Sequence, residues 1–559
     1  MQDTQYDAVV VGSGAAGCFA VKELTEQGLR VLLLEAGPDI SAADFPPRPD
    51  RPEKRGIHLW PRIKATLLGQ HIQARLVFFN RRFKHFFVND RDNPYFTPKG
   101  TPFLWIRGRQ IGGRLHTFGR VLLRWSDLDF KGKSLDGQGE DWPISYADIA
   151  PYYDEIEEYL EVRGNRDHVA SLPDGNYAAP VALVPPEQTF KKKVEQLWPG
   201  RHVVSWRYMP PFSKRIPKPL LDAKATGRLT YKANTIAARI SCDQSGRKAT
   251  SIECIDTHTK QRLNVEGKIF IICGSPIETV RLLLNSKSER YPNGIGNTND
   301  TLGRYFMDQC PSIIYANVSF SKGHFKDKTG VEDSVYPPSS GFYIPRYENT
   351  ADGLNRSFYR GYTFQGMLGR IPVDENENSK FVAMGFGEML PYPDNRITVD
   401  ERRTDRWGIP TPIVCCKLHK NEKALLEEQQ NSIVNMIEQT GGSVEFCGSP
   451  VSFVEKGQGA FPDSSFVGRF IFRRSFHMSM TMGAAIHESG GARMGNDPKT
   501  SYLDAYNRCW EVPNLLVTDA SSFPSSGAVG TTLTVMALTV RACRQAGQKT
   551  SEVRKEPKQ

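Results

Sequence analysis

The sequence predicts an α/β protein, α+β overall: one domain on a sheet assembled from discontinuous segments, and a second with an antiparallel sheet. Three observations predict this. A strand, a glycine turn, a helix and a second strand open the chain within residues 6–35. Apolar runs of strand length return far downstream, in KIFIICGS (268–275) and LLVTD (515–519). Between them, residues 312–474 alternate apolar and polar over short stretches broken by Gly and Pro. Strands buried on both faces read as unbroken apolar runs, and half-solvated antiparallel strands alternate.

The elements follow in order. YDAVVV (6–11) is a buried strand, Ala15 to Gln27 a helix, and RVLLLE (30–35) a strand ending in an acid. Residues 38–100, rich in Pro, Arg and aromatics, read as an irregular basic covering segment. SYADIAPYYDEIEEYLE (145–161) begins with a Ser cap and continues as an amphipathic helix. Short strands and turns fill 203–265, and ETVRLLLNS after the 268–275 strand is a helix. The middle region holds one helix, Asn421 to Gln439, and residues 531–545 form the last. The expected domains are 1–311 (nucleotide-binding, first part), 312–474 (substrate-binding) and 475–546 (a return to the first domain). Residues 547–559 are expected to be a disordered charged tail.

Composition narrows the class. The chain has 559 residues, more than one domain's worth, with 39% hydrophobic and 24% charged residues. That is a soluble globular composition and excludes a collagen, a disordered chain or a disulfide miniprotein. No run of about 18 apolar residues is present, so no membrane-spanning helix is expected. The N-terminus has no basic and apolar leader, so no signal peptide is expected either. Ten cysteines occur without a CxxC pair, which reads as reduced thiols of a cytoplasmic protein, and no metal site is expected. The net charge is +10. Residues 51–95 hold ten Lys/Arg against three acids, with Trp60, Phe78, Phe79, Phe83, Phe86 and Phe87 interleaved. The favoured reading is solvated charge over inward-packed aromatics. No nucleic-acid motif accompanies the patch.

The glycine turn is Gly12-Ser13-Gly14-Ala15-Ala16-Gly17, after a strand and before a helix. Gly12 permits the tight turn, Gly14 lets backbone approach a pyrophosphate, and Gly17 lets helix and strand pack closely. The helix N-terminus offers free N–H groups to the phosphates. Glu35, followed by Ala36, ends the second strand, where an acid binds a ribose hydroxyl and disfavours NADP. The sequence then leaves the sheet for about 60 residues, and the strands that complete it lie far downstream. A sheet closed by distant segments suits a buried, permanent cofactor, which favours FAD.

Four blocks carry a resemblance to the glucose–methanol–choline (GMC) oxidoreductases, FAD-dependent enzymes that oxidise alcohols and sugars. They are residues 6–37, RGRQIGGRLHTFGRVLLRWSDLDF (107–130), IFIICGSPIETVRLLLNS (269–286) with LGRYFMDQ (302–309), and HESGGARMG (487–495) with NLLVTDASSFPSSGAVGTTLTVMALTVRA (514–542). The chain is most similar to the bacterial branch that includes pyranose oxidases and sugar dehydrogenases. The resemblance implies that Gly12, Gly14, Ala15, Ala16, Gly17, Glu35 and Ala36 hold the ADP half of FAD. Arg109, Gly112, Gly113 and Arg114 would lie along the pyrophosphate and isoalloxazine, and Asp519 and Ala520 at the ribityl and pyrophosphate region. His487 matches the active-site histidine. Such chemistry calls for a base that removes a hydroxyl proton while hydride passes to flavin N5, and imidazole suits it.

Three departures from the family pattern stand out. Gly530 occupies the position of a second catalytic His or Asn, with Thr531 and Thr532 next in line to supply a hydroxyl. Thr117, not a histidine, stands at the covalent-attachment position, so FAD is expected to be non-covalent; a one-residue slip would bring His116 there. Gly491 replaces a threonine, and with Gly530 it implies room for a bulky substrate such as a glycoside. In the middle region Glu388, Asn395, Arg396 and Trp407 are polar or stacking residues for which turn and packing roles are favoured over substrate contact. The leading reading is oxidation of a CH–OH group of a sugar, glycoside or other alcohol, with His487 as base and oxygen, a quinone or a separate acceptor receiving the electrons. One alternative is a tailoring enzyme or isomerase on the same fold; another is a non-enzymatic flavoprotein.

Overall fold

A computed structural model of the chain describes residues 6–48, 59–76, 79, 81–337, 340–350, 353–354, 357–457 and 466–555. The opening unit is β1 (Tyr6–Val11), α1 (Ala15–Glu26) and β2 (Val31–Leu34). The covering segment contributes α2 (Leu59–Leu67) and short 3₁₀ turns. Next come α3 (Asp127–Phe130), α4 (Gly132–Asp136), α5 (Tyr146–Tyr159), α6 (Pro185–Leu197), β3 (Val204–Ser205) and α7 (Lys218–Ala225). They are followed by β4 (Leu229–Lys232), β5 (Thr235–Cys242), β6 (Ala249–Asp256), β7 (Arg262–Ile272) and α8 (Pro276–Asn285). The middle region runs through β8 (Cys310–Lys322), β9 (Phe342–Ile344), β10 (Tyr362–Leu368), β11 (Asn378–Gly387), β12 (Arg396–Thr404) and β13 (Pro410–Cys415). After these come α9 (Lys420–Gln439), β14 (Gly442–Gly448), β15 (Phe453–Glu455) and α10 (Phe466–Ser479); β16 (Leu515–Val517) and α11 (Thr532–Lys555) close the chain.

The first sheet joins five parallel strands in the order β4-β2-β1-β7-β16, drawn from opposite ends of the sequence. β7 makes this possible because it is long enough to serve two partners. Its first half pairs antiparallel with β6, and its second half pairs parallel with β1, Val9 opposite Phe270. Gly267 sits at the changeover, where a Cβ would come within 2.8 Å of Val9. β1, β2 and β16 are buried on both faces, as their unbroken apolar runs require. The Ser145 cap of α5 forms as expected, with the Asp148 carboxylate accepting from the Ser145 N–H and hydroxyl.

The second sheet is antiparallel, in the order β15-β14-β8-β11-β10-β9-β3. α9 covers one face. A Cβ on Gly385 would reach Gln429 of α9, so by strand alternation Val382, Met384 and Phe386 point to the opposite face. That face looks toward the nucleotide domain.

The structure departs from the expected boundaries in four places. β3, from residues 204–205, joins the second sheet. The β12–β13 hairpin lies inside 312–474 but docks on α8: the Arg281 guanidinium reaches the Asp405 carboxylate (2.8 Å) and the carbonyls of Ile409 and Pro410. The 38–100 segment is not wholly irregular, since α2 forms within it. α11 runs through the expected tail to Lys555, because nothing before Pro557 forbids a helix; residues 556–559 lie outside the described residues. Phe83, Phe86 and Phe87 of the covering segment pack inward as expected, whereas Trp60 is 80% exposed. Phe78 lies outside the described residues.

Candidate active site

The glycine turn connects β1 to α1 with the geometry its residues imply. Gly12 has φ +92°, and a Cβ there would lie 2.4 Å from the Cys273 carbonyl oxygen. A Cβ on Gly17 would lie 1.8 Å from the carbonyl oxygen of Gly12. A Cβ on Gly14 would meet nothing within 4 Å. Gly14 caps α1 without any side-chain bond, so the first N–H groups of Ala15 and Ala16 face that open side. Two of the glycines are thus required by packing, and the third borders free space at a positive helix terminus. The residues fit the pyrophosphate of a dinucleotide.

A line of polar contacts runs from this turn toward His487. Glu35 accepts from the Ser13 N–H (3.1 Å) and hydroxyl (2.6 Å) and from the Gly37 N–H (2.8 Å). Burial pushes its carboxyl up against these donors. The Ser13 hydroxyl accepts from the Gly112 N–H at 3.0 Å, and Gly113 approaches Gly14 closely. Arg114 then reaches the buried Glu488 (2.9 Å) and the Ser275 hydroxyl (3.2 Å). Asp519 accepts from the Ser521 N–H and hydroxyl and from the Thr279 hydroxyl, and the Ala520 carbonyl accepts from Gly490. Arg109 lies at the other end: it binds Asn93, stacks over Trp407 (5.0 Å), and its carbonyl crowds Gly37. Ala36 packs in the same small apolar cluster as Trp407.

His487 is held from two sides. Its Nδ1 lies 2.6 Å from Gln309 Oε1. The Gln309 amide nitrogen donates to the carbonyls of Ser526 (3.1 Å) and Val529 (2.8 Å). With both N–H bonds spent, Gln309 can only accept from His487, so the proton sits on Nδ1 and Nε2 keeps its lone pair. Burial, reinforced by the Arg114 charge, lowers the imidazole pKa to about 4. The ring is neutral at physiological pH. Asp308 fixes the backbone beneath it, accepting from the N–H groups of Gly483 (2.8 Å) and His487 (3.0 Å). Burial and the nearby Glu488 push the Asp308 carboxyl up to about 7. The clamped turn contains Ile486 at φ +62°, a conformation a β-branched residue rarely adopts.

A Cβ on Gly530 would lie 3.9 Å from His487 Nε2, so the missing side chain leaves its space beside the free lone pair. Phe386 lies 5.2 Å from the imidazole ring. Thr531 follows Gly530 and Thr532 begins α11, and neither hydroxyl is engaged by another described residue. Gly491 does not enlarge this space. It has φ +99°, and a Cβ there would press on Val280 at 2.8 Å. His116 is turned into an aromatic cluster with Phe45 and Phe86, with Nε2 at 3.0 Å from the Ile111 carbonyl. Glu388 is buried between Arg346 and Arg360, Asn395 bonds the Lys417 backbone, Arg396 pairs with Asp300, and Trp407 donates to the Thr257 carbonyl. None of these four reaches His487. Sequence reasoning missed Asp308, Gln309, Glu488 and Phe386. Its one available signal was the polar pair Asp308-Gln309 directly before a long apolar strand.

Comparison with known proteins agrees with this geometry. Residues 391–539 match the family model described as GMC oxidoreductase, and residues 10–67 match that of the NAD(P)-binding Rossmann-like domain. The chain is 26% identical to 2-methyl-1,2-propanediol dehydrogenase of Mycolicibacterium austroafricanum, covering 98% of this chain and 96% of that protein. It is 25% identical to the fructose dehydrogenase large subunit of Gluconobacter japonicus, over 96% of each. The solved structure of Aspergillus oryzae formate oxidase superposes with a TM-score of 0.62 at 14% identity, covering 99% of this chain and 100% of that one. The C-terminal part of the chain thus matches the GMC oxidoreductase model, and relatives aligned along nearly its whole length are named as dehydrogenases of an alcohol or a sugar.

The two kinds of glycine separate under substitution. Gly14→Val is expected to leave the melting temperature of the apoprotein within about 2 °C of the parent, a change of well under ~1 kcal/mol, while abolishing FAD retention. Gly12→Val is expected to lower both. Differential scanning fluorimetry with flavin quantitation checks this, and a Gly14→Val protein that retains full flavin would contradict the placement.

Proposed function

We propose that this oxidoreductase removes the hydroxyl proton of a sugar, glycoside or other bulky alcohol through Nε2 of His487. The observation that carries the reading is the Gln309 contact, which puts the proton on Nδ1 and leaves Nε2 unprotonated beside Gly530. FAD, when bound, supplies the hydride acceptor. The chain's own residues do the rest. Glu35, the α1 N-terminus, Gly112 and Gly113 would hold the dinucleotide. Arg109 would serve the outer end beside Gly37, and Arg114 the inner end beside Glu488. Asp519 would position the Ala520 turn, since its oxygens are already engaged by Ser521 and Thr279. Thr531 and Thr532 would offer hydroxyls to the substrate oxygen.

The role of His487 has a pH signature. A ring with pKa near 4 is already in its basic form above about pH 5, so flavin reduction should be flat from pH 5 to 8 and fall only below about 4. In Gln309→Glu a carboxylate would accept from Nδ1 and favour the imidazolium. The acid limb should then rise by at least one pH unit. His487→Ala should slow anaerobic flavin reduction ~10²- to 10⁴-fold with flavin content unchanged. Stopped-flow reduction measures all three, and an unshifted limb in Gln309→Glu would sink the assignment.

The bare face of Gly530 supports a substrate with bulk near its carbinol carbon. Gly530→Asn should raise KM for glycosides about tenfold, roughly 1.4 kcal/mol, and small primary alcohols should be affected less. Equal loss for both classes would argue against bulk as the reason for the glycine.

FAD is held without a covalent bond in this reading, because His116 is committed to the Ile111 carbonyl. Acid precipitation should leave all of the flavin in the supernatant; a yellow pellet would contradict this. The chain carries no CxxCH or iron–sulfur cysteine pattern, so electrons leave to oxygen, a quinone or another protein. All ten cysteines are free thiols, which supports a cytoplasmic location.

A further inference from the structure

α2 and α10 turn apolar residues outward. On α2, Trp60 (80% exposed), Ile63 and Leu67 share one face, while Ala65 on the opposite side is buried. On α10, Phe466 (86% exposed), Phe470 (65%) and Met478 point out, while Phe472 and Phe476 point in. Both helices flank the short turn at Gln73–Arg75. The inward phenylalanines of α10 join a small core with Leu76, Met384 and Ile486, the residue just before His487. Both helices thus pack on one short turn, and α10 also packs against the second sheet. Scattered exposed apolar residues are ordinary, but large ones concentrated on two helices that meet the same turn point to a contact surface.

The charge on these helices indicates what it contacts. α2 carries Arg62 and Lys64, and α10 carries Arg469, Arg473 and Arg474; neither contains an acid. Arg469 and Arg473 share the single carboxylate of Glu455, which leaves the patch positive. Lys64, Arg473 and Arg474 are exposed beside the outward rings. Aromatic and aliphatic side chains ringed by cations on short helices match the interface of an anionic bilayer, where rings enter the acyl boundary and Lys and Arg meet phosphate. No helix of the described residues is long and apolar enough to cross a membrane, so the contact would be one of surface seating.

We propose that α2 and α10 together form an interfacial docking surface for an anionic phospholipid bilayer. Flotation of the full-length, flavin-loaded protein with vesicles tests it. Vesicles of 7:3 phosphatidylcholine to phosphatidylglycerol should carry the protein at 0.1 M salt. Pure phosphatidylcholine, or 0.5 M salt, should reduce the bound fraction at least about fivefold, since the screening length shortens as salt rises. The triple variant Trp60→Ser, Phe466→Ser, Phe470→Ser should lose binding about tenfold, as removal of its apolar anchors requires, with flavin content and melting temperature unchanged. Leu197→Ser, an exposed apolar residue on α6, should bind like the parent. Failure of the parent to float with the anionic vesicles overturns the proposal. So does equal binding by the triple variant, or a parent dimer in solution that the triple variant converts to monomer. That last result would assign the patch to a second copy of the chain.

Discussion

The position of one amide side chain governs the reactive end of this protein. Gln309 donates to two carbonyls of the 526–530 segment and so presents only its oxygen to His487. That single arrangement sets the tautomer of His487 and joins three stretches of chain. Gln309 stands directly before β8, the strand around which the second sheet is ordered, and Val529 directly precedes Gly530 and α11. His487, the proposed base, is therefore referenced at once to the second sheet and to the terminal helix α11. The neighbouring Asp308 adds a second constraint by clamping both ends of the turn in which Ile486 is strained, a conformation costing about 1–3 kcal/mol. Strain next to the base is tolerated because buried hydrogen bonds over-determine the turn.

The same economy appears in the nucleotide domain. Its sheet depends on β7, whose two halves serve two neighbours, and on β16, which begins 253 residues after β7 does. Such long-range pairing is entropically costly to close and becomes favourable only when many buried apolar contacts form together. The residues proposed to hold the cofactor lie along this seam, from Glu35 through Ser13 and Gly112 to Arg114 and Glu488. Glu35 bonds Ser13, Ser13 bonds Gly112 and, from the same turn as Gly112, Arg114 pairs with Glu488, so three contacts join segments distant in sequence.

Much of this was legible in the residues. The βαβ unit, the close packing at Gly12 and Gly17 and the Ser145 cap are local patterns, and local patterns survive without knowledge of tertiary structure. What escaped was directional. Gly491 and Gly530 look equivalent as missing side chains, yet one faces Val280 across a helix contact and the other faces His487. Trp407, for which the sequence favours a packing role, lies under Arg109, but the sequence does not name that partner, because Arg281 and Asp405 dock its hairpin on α8. Gln309 carries no signal of its own, since a glutamine before a strand is usually solvated. α10 repeats the lesson: periodicity says that Phe466 and Phe470 share a face and that Phe472 and Phe476 share another, but only the packed structure says which is outside.

The most direct test of the central claim is the protonation state of the base itself. Selective ¹⁵N labelling of histidine, with His487 assigned by comparison with a His487→Ala protein, reports each ring nitrogen by NMR. The account predicts an Nδ1–H tautomer with unprotonated Nε2 at every pH from 5 to 8. An Nε2–H tautomer, or an imidazolium at neutral pH, would contradict it.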